Sequence, residues 1–182
     1  MVKKTKKNNK NQLNSYKILI MYKLVFFVLF VASSIVHVYS QESFPSVKLK
    51  SVKGNEVDFA DIAASSKDTM IVMSFWATWC IPCIAELDII NDELKDKQAI
   101  RPFKFIGVSV DDSRTSQRVK PFISGKGWQF DVLLDINGEL KRAINVTDVP
   151  HVIIIKNNKI VYRHTGYIAG EEDNLFEKIK TL

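Results

Sequence analysis

The sequence predicts an α/β fold: a central mixed sheet covered by helices on both faces and begun by an N-terminal β-hairpin. Strand and helix patterns alternate between residues 70 and 144, and two further strands and a helix follow. Such an order places helices on both faces of one sheet. In addition, the segment 79–83, Trp-Cys-Ile-Pro-Cys, holds the only two cysteines of the 182-residue sequence at a strand-to-helix junction.

The first 40 residues differ in composition from the remainder. They hold seven of the 26 basic residues and none of the 20 acidic ones, so the net charge of +6 becomes −1 over residues 41–182. An apolar run from Leu24 to Val38 follows Lys23 and leads to Ser40, with the small-residue spacing of a signal-peptide cleavage site. We therefore expect a basic extension and signal peptide over 1–40, with Met21 as the true start, and one domain over 41–182.

Two alternatives for the N-terminal segment remain open from sequence. A retained membrane anchor would keep the lysine-rich arm in the cytoplasm, but 15 residues fall short of the roughly 20 that a span needs. A nucleic-acid-binding arm is the second alternative, and we expect no nucleic-acid partner. No cysteine lies near the cleavage site, which excludes a lipoprotein anchor. The expected location is the periplasm or another exported compartment, with membrane anchoring as the alternative.

The elements of the domain follow from local pattern. Alternating residues around Gly54 predict the first hairpin, and Asp61 is expected to cap a short helical turn. The apolar run 70–76 predicts a buried strand, and the helical spacing of apolar residues over 80–97 predicts the helix after it. The remaining predicted elements are strand 103–110, helix 116–126, strand 131–134, helix 138–144, a hairpin of strands 152–155 and 159–164 turning at Asn157-Asn158, and helix 171–180.

The position of the cysteine pair favours redox chemistry over a structural role. Unpaired backbone N–H groups and the helix dipole at a helix N-terminus stabilise a thiolate on the first cysteine. A disulfide that closes a four-residue ring removes little entropy from the unfolded chain, so it is a poor structural cross-link. Structural zinc needs four ligands, and no His or Cys cluster completes a set. We expect no metal and no cofactor beyond a redox-active disulfide.

Residues 75–86, Phe-Trp-Ala-Thr-Trp-Cys-Ile-Pro-Cys-Ile-Ala-Glu, resemble the active-site segment of the thioredoxin superfamily, and most of all its TlpA/ResA-like branch of exported bacterial thiol–disulfide oxidoreductases. The resemblance runs from about Ser46 to Leu182. Val149-Pro150 before the final hairpin and the insertion that includes residues 108–111 also carry it. It implies a thioredoxin-like fold for 41–182.

The resemblance implies a role for each residue of the site. Cys80 is the exposed nucleophile that forms a mixed disulfide with the substrate, and the more buried Cys83 resolves it. Glu86, one turn after Cys83, tunes the thiols and accepts a proton; a solvated helix glutamate is the alternative. Substrate-binding positions are Trp79, Pro82, Val149 and Pro150, with a cis peptide bond before Pro150 that leaves the Val149 backbone free to pair with substrate.

The sequence departs from the family pattern at four positions. Ser74 stands where thioredoxin has a buried aspartate, and Asp88 where the branch often has proline. His151 replaces a common threonine and Asp148 a frequent glycine. His151 is interpreted either as an active-site neighbour that shifts the cysteine pKa or as an ordinary strand residue. These departures concern proton handling and partner choice rather than the redox chemistry.

Ile81-Pro82 between the cysteines resembles the reducing members, since strong oxidants usually carry histidine before the second cysteine. We expect an exported reductant of protein disulfides that receives electrons from a membrane donor of thiol type, with cytochrome c maturation as one client pathway. The alternatives are an oxidant or isomerase of secreted proteins and a non-enzymatic binding module. A peroxiredoxin-type peroxidase would need Thr/Ser-x-x-Cys, whereas Thr78 is two residues before Cys80.

Overall fold

A computed structural model of the chain describes residues 16–17, 19–25 and 44–182. The chain divides into two units, Met1–Glu42 and Ser43–Leu182. In the first unit, the described residues are helical. Over the part of the chain that the structure describes, no helix is both long and apolar enough to cross a membrane. The expected signal-peptide run from Leu24 to Val38 lies outside the described residues beyond position 25, as does its cleavage site.

The second unit is built on one seven-stranded sheet. Its strands are β1 (Lys48–Ser51), β2 (Glu56–Asp58), β3 (Met70–Trp76), β4 (Phe103–Ser109), β5 (Asp131–Leu134), β6 (His151–Lys156) and β7 (Lys159–Thr165). Its helices are α1 (Phe59–Ser65), α2 (Ile81–Ile100), α3 (Val119–Lys126, preceded by a 3₁₀ turn over Ser116–Arg118), α4 (Glu139–Ala143) and α5 (Glu171–Thr181).

The sheet is mixed, as the sequence predicts. Its order is β2-β1-β5-β4-β3-β6-β7. The central strands β3, β4 and β5 run parallel, whereas β1 with β2 and β6 with β7 form antiparallel hairpins at the two edges. The β6–β7 turn places Asn157 and Asn158 at φ 52° and 58°, the left-handed backbone that a two-residue hairpin turn requires and that asparagine tolerates well. The predicted hairpin is confirmed.

Helices cover both faces of the sheet because successive side chains of a strand point to opposite sides. Every residue of β3 is buried. Val72 and Trp76 pack with residues of α2, α3 and α5 on one face, and Met73 and Phe75 pack with residues of α1 and α4 on the other. The central strand is therefore covered on both sides, and the loop that follows it leaves from the middle of the sheet.

The prediction that Asp61 caps α1 is wrong. Asp58 is the N-cap, and its carboxylate accepts a hydrogen bond from the Ala60 N–H at 2.9 Å. An N-cap needs an extended backbone just before the helix. Asp58 has this backbone (φ −94°, ψ 133°), whereas Asp61 lies within the first turn.

Candidate active site

Cys80 and Cys83 lie where the sequence predicts, between the end of β3 and the first turn of α2. They form a disulfide with a Cα–Cα distance of 5.3 Å. Cys80 is the N-cap of α2, and its sulfur accepts a hydrogen bond from the Cys83 N–H at 3.3 Å. Pro82, which has no N–H, occupies the first turn, where a missing donor costs no helical hydrogen bond. In the reduced form, the helix N-terminus therefore faces the Cys80 thiolate.

Cys80 is less accessible than predicted. Cys83 is fully buried as expected, but Cys80 is only 5% exposed, so the prediction of an exposed Cys80 is wrong for the disulfide form. The reason is that its sulfur lies against the helix N-terminus, where it forms the disulfide with Cys83 and accepts a hydrogen bond from the Cys83 N–H. The adjacent side chains of Trp79 and Ile81 are instead 62% and 80% exposed. These two side chains thus form an exposed apolar surface beside the disulfide.

A buried aspartate holds the loop that leads to the cysteines. The N–H and hydroxyl of Thr78 donate to the two carboxylate oxygens of Asp111 at 2.9 and 2.6 Å. The hydroxyl of Ser109 donates to the same carboxylate at 2.9 Å. Sequence reasoning missed this function of Asp111. Its position directly after strand β4, the parallel neighbour of β3, was the available signal, because such strands end at the same edge of the sheet.

The Val149–Pro150 peptide bond is cis in the structure, in agreement with the resemblance. In the β3–β6 pair, His151 lies opposite Phe75, which places Pro150 at the end of β3 from which the cysteine loop departs. Val149 packs against the core cluster that contains both cysteines. The structure therefore brings Pro150 to the cysteine end of the sheet.

Glu86 is buried on the inner face of α2. It is only 3% exposed, and its carboxylate accepts a long hydrogen bond, 3.5 Å, from the hydroxyl of Ser74 on β3. Burial raises the pKa of Glu86 to about 7; the Ser74 hydrogen bond opposes this shift, and the nearby charges of Glu171 and Glu172 add to it. The interpretation of Glu86 as a solvated helix glutamate is wrong, because the carboxyl faces the sheet rather than water.

His151 lies on the opposite face of the sheet from α2. Its ring packs edge-on against Phe75 at 6.3 Å between centroids, and Phe75 belongs to the core beneath α1 and α4. Its Nδ1 lies 2.7 Å from the Thr165 hydroxyl. Burial lowers the pKa of His151, with a smaller contribution from the charge of Arg163. The structure thus favours the interpretation of His151 as a strand residue.

Asp88, a departure from the family pattern, joins α2 to the C-terminal end of α3 and to Trp128 beyond it. It accepts hydrogen bonds from Lys126 Nζ at 2.7 Å and from Trp128 Nε1 at 2.9 Å. Trp128 packs edge-on against the buried Trp76, with centroids 4.9 Å apart. Asp88 is therefore a structural residue here.

Two residues near Glu86 were assigned no function from sequence. His164 on β7 and Glu171 at the start of α5 line a cavity beside Glu86. Alternation along β7, which puts Tyr162 and His164 on one face of the strand, was the signal that could have found them. Among the described residues, no group of three or more His, Cys, Asp or Glu side chains is placed to hold a metal ion.

The fold and the Cys80–Cys83 disulfide at the start of α2 define this protein as a thiol–disulfide oxidoreductase of the thioredoxin-like class. The chain belongs to the AhpC/TSA family, which matches residues 41–164.

Individual relatives agree with this class. The chain is 27% identical over 129 residues to the thiol–disulfide oxidoreductase ResA of Bacillus thuringiensis subsp. konkukian, covering 70% of each protein. The solution structure of an uncharacterised thioredoxin-like protein from Porphyromonas gingivalis is 41% identical, with a TM-score of 0.67 over 77% of this chain and 91% of that one. StoA from Bacillus subtilis, 22% identical with a TM-score of 0.59 over 74% and 96% of the two chains, shares the fold.

Proposed function

We propose that this protein is an exported reductant that reduces disulfides in protein substrates through Cys80 and Cys83. The observation that carries the proposal is the environment of Cys80. Its sulfur accepts a hydrogen bond from a backbone N–H, Ile81 and Pro82 separate the cysteines, and no basic side chain bonds to it among residues 44–182. A thiolate without a cationic partner is less stabilised, and this makes the dithiol the better reductant.

The reaction proceeds by two thiol–disulfide exchanges. The Cys80 thiolate attacks one sulfur of the substrate disulfide, forms a mixed disulfide and expels the other sulfur as a thiolate. Cys83 then loses its proton and attacks the Cys80 sulfur. The Cys80–Cys83 disulfide forms, the mixed disulfide breaks, and the substrate has gained two electrons and takes up two protons from the surroundings.

Glu86 accepts the proton of the Cys83 thiol in this scheme. The two residues are i and i+3 on α2 and therefore neighbour each other on the helix. A carboxyl with a pKa of about 7 is ionised in part at neutral pH and can both take and return a proton there. Ser74 serves as the hydrogen-bond donor to its charged form.

The exposed side chains at the site bind the substrate. Trp79 and Ile81 provide apolar contact area beside the disulfide, and Pro82 shapes the start of the helix. At the cysteine end of the sheet, the backbone of Val149 before Pro150 pairs with an extended substrate segment. This surface suits a polypeptide better than a small disulfide.

The partners are a disulfide-bearing protein and a thiol donor that regenerates the dithiol. Export by the N-terminal segment places both outside the cytosol, and haem-attachment cysteines that must stay reduced are one fitting client. Sequencing the N-terminus of the exported protein tests the location: Gln41 indicates cleavage, and a start before Leu24 indicates an anchor.

The equilibrium potential of the Cys80–Cys83 pair against dithiothreitol or glutathione tests the direction. A reductant should lie near thioredoxin, about −270 mV, and a value near that of the strong oxidant DsbA, about −120 mV, would make the protein an oxidant. Cys80→Ser separates enzyme from binding module. If client reduction survives that substitution, the protein does not act through its dithiol.

A further inference from the structure

A cavity lies beside Glu86 between α2, the β6–β7 hairpin and α5. Its volume is about 90 Å³, and its lining includes Glu86, Tyr162, His164 and Glu171. A buried water needs only about 10–15 Å³ of such volume together with two to four polar partners. The cavity is therefore large and polar enough to hold more than one water molecule against the Glu86 carboxyl.

His164 and Glu171 extend from this cavity to the protein surface. His164 Nε2 lies 3.4 Å from Glu171 Oε2, and the two side chains are 36% and 31% exposed. The Nε2 atom itself is buried and makes no hydrogen bond to any residue that the structure describes. A buried ring nitrogen without a hydrogen bond, with a carboxylate 3.4 Å away and on a side chain that also reaches solvent, can take up a proton at the cavity wall.

A route to solvent is needed because Glu86 is buried. If Glu86 takes the proton of Cys83, it must release that proton before it can act again, and only 3% of the residue is exposed. A docked substrate covers the surface around Trp79 and Cys80 while the reaction proceeds. The cavity offers an exit that opens instead beside β7 and α5.

We propose that His164 and Glu171 relay protons between Glu86 and bulk solvent through this cavity. The inference rests on the proposed role of Glu86 as the acceptor of the Cys83 proton. The proton leaves the Glu86 carboxyl through cavity water and binds the lone pair of His164 Nε2. The Glu171 carboxylate stabilises the resulting imidazolium until it releases the proton to solvent, and Glu86 is again a carboxylate.

On balance, the groups around Glu86 hold a proton on it, so release of that proton benefits from a nearby acceptor. Ser74 faces it from β3, Tyr162 and His164 from β7, and Glu171 and Glu172 from α5. Burial favours the protonated form of Glu86, and the two α5 carboxylates add to this effect, so release of its proton near neutral pH is less favourable than from an exposed glutamate. Imidazole is the side chain best suited to carry a proton over this pH range.

The test is a single turnover of the reduced full chain with glutathione disulfide between pH 6 and 7, where Glu86, with a pKa of about 7, starts at least half protonated and must release its proton before it can accept that of Cys83. Acid quenching and mass spectrometry measure the mixed disulfide on Cys80 and its conversion to the Cys80–Cys83 disulfide. The variants are His164→Gln and Glu171→Gln. Glu177→Gln makes the same chemical change on the same helix, at a side chain that is 68% exposed and pairs with Lys180, and is the matched control.

In dilute buffer, His164→Gln should slow resolution of the mixed disulfide about tenfold, less than the 10²–10⁴-fold of direct acid–base catalysis, and Glu171→Gln should slow it less. Glu177→Gln should match the unmodified chain. His164→Ala leaves space for a small base, so added imidazole should restore its rate. This rescue is a readout that a merely structural defect does not give.

Three outcomes separate the relay from the role of Glu86. If both relay variants resolve the mixed disulfide at the unmodified rate while Glu86→Gln is slow, the relay is overturned and Glu86 remains the acceptor. Slow resolution that neither buffer concentration nor imidazole alters overturns the relay in favour of a structural effect. If Glu86→Gln itself resolves at the normal rate over the whole pH range, the role of Glu86 fails and the relay fails with it.

Discussion

The Ser74 hydroxyl on the central strand donates to the Glu86 carboxylate on the helix that carries the cysteines, at 3.5 Å. Both residues are buried. The strand carries Ser74 where the thioredoxin pattern has an acid, and a carboxyl reaches this side chain from the helix instead. A hydrogen-bond donor now occupies the strand position, and it favours the charged form of the acid beside it.

Glu86→Gln should slow resolution of the mixed disulfide and remove the rate increase that ionisation of Glu86 produces near pH 7. Glutamine fills the same space but cannot take up the Cys83 proton. Stopped-flow measurements of the exchange rate from pH 6 to 9 would show that this increase, the Glu86 limb of the rate profile, is lost. Asp96→Asn, an exposed change on the same helix, should leave it in place. Equal rates for Glu86→Gln and the unmodified chain at every pH would contradict the role.

The same substitution should change the pH dependence of stability in the disulfide form. The pKa of Glu86 is about 7 in the folded chain, against an ordinary value of 4.5. Between these values the unfolded chain loses its proton while the folded chain keeps it, so stability falls as pH rises through this window and is level above it. The total loss is about 3 kcal/mol.

Urea denaturation of both chains at intervals from pH 4.5 to 8 measures this effect. The stability of Glu86→Gln relative to the unmodified chain should rise across the window and stay constant beyond pH 7.5. A constant difference throughout would mean that Glu86 does not titrate near neutrality.

Ser74→Ala should move the Glu86 limb of the rate profile to higher pH. The hydroxyl lowers the pKa of Glu86 by donating to the carboxylate, and alanine removes that donor. Because the bond is long, we expect an upward shift of less than about one pKa unit, or about 1 kcal/mol. Ser74→Thr retains the hydroxyl and should shift the limb less. A shift downward in Ser74→Ala would mean that the serine does not stabilise the charge.

Much of the fold was accessible from sequence because its signals are local. Both ends of strand β3 are predicted correctly, since a short run dominated by β-branched and large apolar residues specifies a buried strand. The β6–β7 turn is specified by two consecutive asparagines. The α1 cap was missed because two aspartates, Asp58 and Asp61, stand near the helix start, and only the backbone conformation decides between them.

The supporting contacts of the site were not accessible, for a different reason. Thr78 and Asp111 are 33 residues apart, and their contact depends on the parallel register of β3 and β4. That Glu86 and His164 line one cavity depends on how α2 packs over the β6–β7 hairpin. Local pattern identified the cysteines and their helix, and the family resemblance identified Glu86, whereas packing brings the residues around them together.

Trp79→Ala and Ile81→Ser should weaken the reduction of protein disulfides without slowing reaction with a small disulfide. Both side chains are exposed beside the cysteines and bond to none of the loop residues that position Cys80. We expect kcat/KM for a protein disulfide to fall about 5- to 150-fold, mainly through KM, since each change removes apolar contact area worth about 1–3 kcal/mol. Ile100→Ser, an exposed apolar position at the far end of α2, is the control. An equal loss with glutathione disulfide would place these residues in the chemistry rather than in docking.

Asp111→Ala should destabilise the protein and loosen the cysteine loop at the same time. The carboxylate is buried and accepts from the N–H and hydroxyl of Thr78 and from the hydroxyl of Ser109. Alanine leaves these donors without a partner, at about 1–3 kcal/mol for each one that water cannot reach.

Denaturation at constant pH measures this loss, and proteolysis of the loop around Thr78 measures its mobility. Asp111→Asn retains one acceptor oxygen and should lose less. Asp112→Ala is the neighbouring control, because its carboxylate bonds only to the exposed side of the next turn, at Arg114 and Thr115. If Asp111→Ala proves as stable as Asp112→Ala, the disulfide and the helix alone hold the loop.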